Sequence, residues 1–357
     1  MRVSDFDYLL PDELIAQEAV RRGESRLLTL DRATGEIADG RIDDLTAHLR
    51  LGDLLVVNNT RVFAARLIGH RVPSGGAVEC MLLDRQTADR GTRLGADESL
   101  WQALVHPGQK LKPGAVIRFA GPAGVLMGEI LERRFHGRRT VRLWAESGGP
   151  VERLIDALGH VPLPPYIKRG DTAEDRERYQ TVYASVRGSV AAPTAGLHFS
   201  KALIAALEEK GVERIEITLH VGYGTFKPVR VEEVEKHTVD PERYVIAESA
   251  ADAINRARTE QRRVVAVGTS TTRALENSAA LGKGSVLAGE AQATLFVYPG
   301  FTFQVIDGLL TNFHLPRSSL LMLVAAFAGA ANVLSAYREA VARRYRFYSY
   351  GDAMLII

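Results

Sequence analysis

The sequence predicts an α/β domain built on a mixed β-sheet, with a small all-β barrel inserted into it. Three observations predict this. Helix and strand patterns alternate near the start and again through the second half, whereas the stretch from about Val62 to Trp144 holds only short alternating runs broken by Gly and Pro. A proline-rich connector, Gly159-His160-Val161-Pro162-Leu163-Pro164-Pro165-Tyr166-Ile167, then returns the chain to the first texture as a stiff strut. The expected division is a discontinuous α/β domain, residues 1–61 and 156–357, with the barrel at 62–155.

Taken in order, Pro11 to Ala16 reads as a helix start capped by Asp12, and residues 26–30 as a strand. Leu54-Leu55-Val56-Val57 is a fully apolar run of the kind found inside a covered sheet, and it ends at the polar cluster Asn58-Asn59-Thr60-Arg61. Turn formation and a surface charge explain that cluster equally well. In the barrel segment, alternating runs at 77–83, 101–105 and 140–144 are separated by turns at Pro73, Gly75-Gly76, Pro107-Gly108 and Pro113-Gly114. The basic run 133–139 has two readings, a phosphate contact and a solvated hairpin tip, of which the hairpin tip is favoured.

Two loops in the second half concentrate chemistry. Ala192-Pro193-Thr194-Ala195-Gly196-Leu197-His198-Phe199-Ser200 precedes a helix at 201–210, with Ser200 as its cap and Gly211 as its stop. A strand over 214–221 follows, alternating so that His220 leaves on the polar side, and it leads into Gly222-Tyr223-Gly224-Thr225. Histidines in such loops either carry protons or satisfy a packed loop. Further on, a helix at 248–259 and a buried strand at 263–267 run into Gly268-Thr269-Ser270-Thr271-Thr272-Arg273, which has the physical design of an anion-binding turn but lacks P-loop spacing. Residues 293–298 read as a strand. Thr311-Asn312-Phe313-His314-Leu315-Pro316 is a third polar loop before a helix. Polar loops collected at strand ends imply one site.

Composition narrows the class. The chain has 357 residues, enough for two cores, and a net charge of +2 that neither demands nor excludes nucleic acid. The sole cysteine, Cys80, has no disulfide partner, and the nine histidines lack metal-ligand spacing, so no metal is expected. The N-terminus lacks a signal-peptide apolar core, which predicts a cytoplasmic protein. The apolar segment 318–336 reads as a buried core helix, with Gly329 as a break, and no membrane partner is expected.

Together, Asn58 to Arg61, Pro162 to Ile167, Ala191 to Phe199, Leu219 to Gly222, Thr311 to Pro316 and Tyr345-Arg346-Phe347-Tyr348-Ser349-Tyr350-Gly351-Asp352-Ala353-Met354 resemble the signatures of the S-adenosylmethionine:tRNA ribosyltransferase-isomerase family of queuosine biosynthesis. The resemblance runs in order along almost the whole chain. It implies transfer and isomerisation of the ribosyl part of S-adenosylmethionine onto 7-aminomethyl-7-deazaguanine at the wobble position of tRNA with GUN anticodons. The products would be epoxyqueuosine, adenine and methionine. It also implies a monomer, and no cofactor beyond S-adenosylmethionine as co-substrate. Such chemistry needs a base for the C5′ proton next to the sulfonium and an acid for the departing adenine. His198 and His220 are the leading candidates. The expected substrate-binding set is Asn59, Arg61, Thr194, Gly196, Gly222, Thr225, Thr269, Ser270, Arg273, Asn312, His314, Arg346, Tyr350 and Asp352. One departure stands out: Val239-Asp240 occupies the place of the family's usual Met-His pair. Two other classes compete. A methyltransferase would share the donor but lacks its glycine-rich turn here, and a non-catalytic tRNA-binding protein gives no reason for so many polar loops beside helix starts.

Overall fold

A computed structural model describes residues 1–87, 94–95, 97–226 and 228–357, excepting the side chains of His136, Thr225 and Phe226. The strands up to the barrel are β1 (Arg26–Leu30), β2 (Ile37–Arg41), β3 (Leu54–Asn58) and β4 (Thr60–Val62). Those of the barrel are β5 (Arg66–Val72), β6 (Ala77–Gln86), β7 (Glu98–His106), β8 (Val116–Gly121), β9 (Gly124–Arg133) and β10 (Arg138–Ala145). After it come β11 (Val186–Ser189), β12 (Glu213–Leu219), β13 (Glu242–Ile246), β14 (Val264–Val267), β15 (Gly289–Ala293), β16 (Gly308–Asn312) and β17 (Ala353–Ile356). The helices are α1 (Leu45–His48), α2 (Val151–Leu158), α3 (Asp175–Arg178), α4 (Lys201–Glu209), α5 (Glu248–Thr259), α6 (Thr269–Leu281), α7 (Ser319–Ala328) and α8 (Ala330–Ala342).

Nine strands form one mixed sheet in the order β15, β13, β12, β3, β14, β16, β17, β1, β2. Its centre, β12 to β16, is parallel, with antiparallel pairs toward both edges. β3 shows why the apolar run sits there. All five of its residues are buried, and the two-residue period sends Leu54 and Val56 to one face with Ile254 and Leu275, and Leu55 and Val57 to the other with Leu45, Leu203 and Leu207. Full burial of each such side chain stabilises by about 1.5–3 kcal/mol.

β5 to β10 close into a six-stranded barrel, every pair antiparallel. Val151 and Ile155 of α2 enter the barrel's own core, so that core extends to the helix following β10. The chain leaves the barrel at Gly159, where a Cβ would stand 2.0 Å from the Ala64 carbonyl oxygen. There the His160 and Arg66 backbones pair and lock the two crossings together.

Several local expectations changed. The helix at Asp12 is only a three-residue 3-10 turn after Pro11. Residues 294–298 lie outside any strand, since pairing with β13 uses Gly289–Ala293 instead. β12 is buried on both faces at its end, where Ile217, Thr218 and Leu219 are all enclosed instead of alternating. The apolar 318–336 segment is two helices bent by 116° at Gly329, whose φ of +83° suits glycine. Among the described residues no single helix is long and apolar enough to cross a membrane.

Candidate active site

The parallel strands β12, β14 and β16 end on one edge of the sheet, and the loops that follow them wall a cleft. Val221 follows β12, Gly268 to Ser270 follow β14, Thr311 and Asn312 end β16, and His314 follows it. The loop before α4 contributes Ala192 to Ala195. Tyr166 comes from the proline-rich strut, and Tyr348 and Ser349 from the turn before β17. The space for centres of water-sized molecules is about 50 Å³.

The α6 terminus is built to face a ligand. Gly268 has φ +93°, and no side chain caps the helix. Thr271 Oγ1 donates back to the Val267 carbonyl at 2.7 Å and Thr272 Oγ1 to the Gly268 carbonyl at 3.2 Å. Thr269 and Ser270 line the cleft beside first-turn N–H groups that lack intrahelical acceptors.

Three histidines surround this edge in different states. His314 lines the cleft with Nε2 2.8 Å from Thr311 Oγ1, and burial pushes its pKa down to about 3. His198, at the end of the 3-10 turn Thr194–His198, lies behind the lining with Nδ1 2.8 Å from Ser25 Oγ. Burial pushes its pKa down to about 4; the Asn312 amide opposes that shift and the Arg346 guanidinium adds to it. His198 Nε2 and Asn312 Oδ1 are both buried without a completed hydrogen bond, while Asn312 Nδ2 donates to the Tyr348 carbonyl at 2.9 Å. His220 is half-buried, with Nδ1 2.8 Å from Thr60 Oγ1. A Cβ on Gly188 would come within 2.5 Å of its ring. Burial lowers its pKa first and Arg243 second, against Glu290.

Of the other residues expected from sequence, Thr194, Thr269, Ser270, Asn312 and His314 share the cleft wall. Asn59 is spent on β12, donating to Glu216 Oε2 at 3.1 Å and accepting from Thr218 Oγ1 at 2.7 Å. Arg61 is exposed on β4. Gly196 packs under Tyr183, whose hydroxyl oxygen a Cβ would approach to 2.2 Å. Gly222 N–H donates to Glu242 Oε1 at 3.1 Å, and Arg273 Nη1 pairs with Glu242 Oε2 at 2.6 Å in a buried bridge. Asp352 accepts from the Arg26 and Arg346 amides at 3.0 and 2.8 Å, Tyr350 donates to Asp175 at 2.8 Å, and Arg346 donates to the Tyr350 carbonyl. The Thr225 side chain lies outside the described residues.

The wall also includes Tyr166, Tyr348 and Ser349, which sequence reasoning placed in motifs without assigning them to the site. Tyr166 OH and Ser349 Oγ are hydrogen-bonded, and the two tyrosine rings stand 3.8 Å apart edge to face. A tyrosine closing a run of prolines was the available signal, because a stiff strut can hold a ring at a fixed place. Among the described residues no group of three or more His, Cys, Asp or Glu could hold a metal.

The profile of the family described as queuosine biosynthesis protein matches residues 3–356. The chain belongs to this family. Relatives bearing the name S-adenosylmethionine:tRNA ribosyltransferase-isomerase include one from Desulfitobacterium hafniense, 48% identical over 358 residues, and one from Carboxydothermus hydrogenoformans, 50% identical over 358 residues; each comparison covers 100% of both chains. Among solved structures, an S-adenosylmethionine tRNA ribosyltransferase from Thermotoga maritima is 37% identical, with a TM-score of 0.54 over 99% of this chain and 100% of that one. Asp240 ties the barrel to the segment ahead of β13: its Oδ2 accepts from Arg138 of β10 at 3.0 Å, and a Cβ on Gly224 would press to 2.5 Å from the same oxygen.

Proposed function

We propose that this chain transfers and isomerises the ribosyl moiety of S-adenosylmethionine onto 7-aminomethyl-7-deazaguanine at the wobble position of tRNA, releasing adenine and methionine and leaving epoxyqueuosine. The observation that carries the reading is a cleft walled by the loops at the ends of β12, β14 and β16, in a chain that matches the family over residues 3–356. Thr269, Ser270 and the free amides of α6 are placed to take the donor's carboxylate or ribose hydroxyls, with Thr194, Asn312 and His314 completing the pocket. Arg61 is left for phosphate binding. Asn59, Gly196, Gly222, Arg273, Arg346, Tyr350 and Asp352 set the walls rather than line them, and Thr225 stands in the loop after Gly222. The acceptor is tRNA with GUN anticodons, and the working form is a cytoplasmic monomer.

His198 and His220 are the acid/base pair in this reading. Both are held below the ordinary histidine pKa, so each is neutral at pH 7 and can accept a proton. His198 offers an unoccupied ring nitrogen, and Asn312 opposite it favours the imidazolium once formed. The test follows adenine release and nucleoside mass together, with S-adenosylmethionine and tRNA carrying 7-aminomethyl-7-deazaguanine. Adenine plus the epoxyqueuosine mass is expected, and a methyl-sized gain would point to a methyltransferase. Loss of a general acid or base costs on the order of 10² to 10⁴ in rate. Folded His198→Ala and His220→Ala proteins that both release adenine at near-normal rates would remove these roles.

A further inference from the structure

The charge of the chain is unevenly divided. Residues 62–155 carry fourteen Arg and Lys against nine Asp and Glu, a net +5, although the whole chain is only +2. The α/β part is therefore acidic overall, at −3. The polyanion-facing charge lies in the barrel.

Within the barrel one place concentrates it. A second cavity, about 110 Å³ for centres of water-sized molecules, lies between the β5–β6 hairpin and the segment 107–111. Its charged lining is Arg71 and Lys110, with Val78 and Leu111 as apolar walls and no carboxylate among its lining residues. Arg71 is held in place: Nε donates to Ser74 Oγ at 2.7 Å and Nη1 to the Lys110 carbonyl at 3.2 Å. Lys110 makes no ion pair among the described residues. Behind the same segment sits Arg139, 2% exposed, donating to the backbone carbonyls of Gly108, Arg138 and Gly137 at 2.9, 2.9 and 3.0 Å, and more weakly to Leu111 at 3.4 Å. It meets no carboxylate among the described residues. A buried guanidinium satisfied by carbonyls alone keeps its full charge without a counter-ion, a costly arrangement that an incoming anion relieves.

The position suits an extended ligand. β5 enters the barrel at Arg66, beside the joint with the α/β domain. Arg71 lies five residues further along the strand, about 17 Å at ~3.3 Å per residue. An anion bound here belongs to a part of the substrate well away from that joint.

We propose that this cavity is a phosphodiester subsite for tRNA, with Arg71 and Lys110 gripping the phosphate oxygens, and that the barrel is the face on which the RNA backbone lands. This rests on the reading above that the acceptor is tRNA. Phosphate interactions of this kind fix register without reading sequence.

The test measures binding of an unmodified GUN tRNA transcript to the full-length protein across a salt series. Variants are Lys110→Glu, Arg71→Ala/Lys110→Ala, and, as a control of equal charge change, Arg338→Glu on the exposed face of α8. Lys110→Glu should weaken binding about five- to tenfold, and removing each cation–phosphate pairing should lower the slope of log affinity against log salt by about 0.7–0.9. Arg338→Glu should leave both readouts at the wild-type value. Lys110 is exposed and makes no ion pair among the described residues, so Lys110→Glu keeps the barrel folded, and a barrel-core tryptophan signal from Trp101 checks this for both variants. Wild-type affinity and slope in both cavity variants overturn the subsite while leaving the ribosyl-transfer reading standing, as does an equal loss in Arg338→Glu. A wild-type protein that neither binds tRNA nor releases adenine overturns both.

Discussion

Arg273 gives the sharpest test of how the cleft is held. Its guanidinium is fully engaged away from the cleft: Nη1 with Glu242 Oε2 at 2.6 Å, Nη2 with the Ala293 carbonyl at 3.0 Å, and Nε with the Leu295 carbonyl at 3.1 Å. Glu242 in turn accepts from the Gly222 amide. The pair thus ties the first turns of α6 to the loop leaving β12, two walls of the same cleft. Glu242→Ala leaves a buried guanidinium with carbonyls alone and a Gly222 N–H without its acceptor, expected to cost about 3–5 kcal/mol for the broken pair plus about 1 kcal/mol for the amide. Arg273→Met leaves a buried carboxylate and should cost a similar amount. The double variant leaves no orphaned charge, so its cost should fall short of the sum by at least about 2 kcal/mol. Urea unfolding of the four proteins measures this cycle, with donor KM followed alongside. Additivity within about 0.5 kcal/mol would refute the coupling. So would Arg273→Met with unchanged stability and abolished donor binding, the signature of a guanidinium that holds the substrate carboxylate.

Two further outcomes follow from burial. His198 and His314 are held at about 4 and about 3, below the ~6.5 of an unfolded histidine, so the unfolded chain takes up more protons as pH falls. The stability they contribute is whole above about pH 6.5 and is lost toward those values, roughly 2–3 kcal/mol for each at pH 4.5; equal urea midpoints at pH 7 and 4.5, after correction with His314→Gln, would contradict it. Gly196→Ala places a methyl group 2.2 Å from the Tyr183 hydroxyl oxygen and should destabilise by about 1–3 kcal/mol. Tyr183→Phe removes a buried hydroxyl that has no partner among the described residues, so it should be nearly neutral alone and restore part of the loss in the double variant; thermal melts showing no rescue would sink the packing explanation.

The architecture was legible wherever periodicity or punctuation spoke for itself. β3 announced itself as four apolar residues bounded by polar turns, and α4 by its Ser200 cap, whose Oγ accepts from the Leu203 amide at 3.0 Å, and its Gly211 stop at φ +84°. The change of texture after Val62 marked the barrel because closely spaced Gly and Pro forbid long helices. What sequence could not show was direction. Arg273 and Thr269 share one turn signal, yet only Thr269 faces the cleft, because Arg273 stands one turn further along α6, where its long side chain finds Glu242. His198 and His220 looked equivalent in their loops, while the fold buries one against Ser25 and leaves the other half-exposed beside Thr60. Tyr350 and Asp352 read as site residues from their motif, but their polar atoms are spent on Asp175 and on the amides of Arg26 and Arg346.

The cleft wall itself carries no formal charge. None of its lining residues is Asp, Glu, Lys or Arg, and its one histidine, His314, is held neutral by burial. A site of this kind disfavours an ammonium over the free amine, since moving an unpaired charge out of water is costly. The proposed reaction needs that preference, because the acceptor's aminomethyl group can attack only with its lone pair free. The α6 terminus is an electropositive feature of this wall, and its partial charge can hold a donor carboxylate. A cleft wall of neutral dipoles, beside a barrel that holds the net positive charge, separates capture of a polyanion from chemistry that requires a neutral nucleophile.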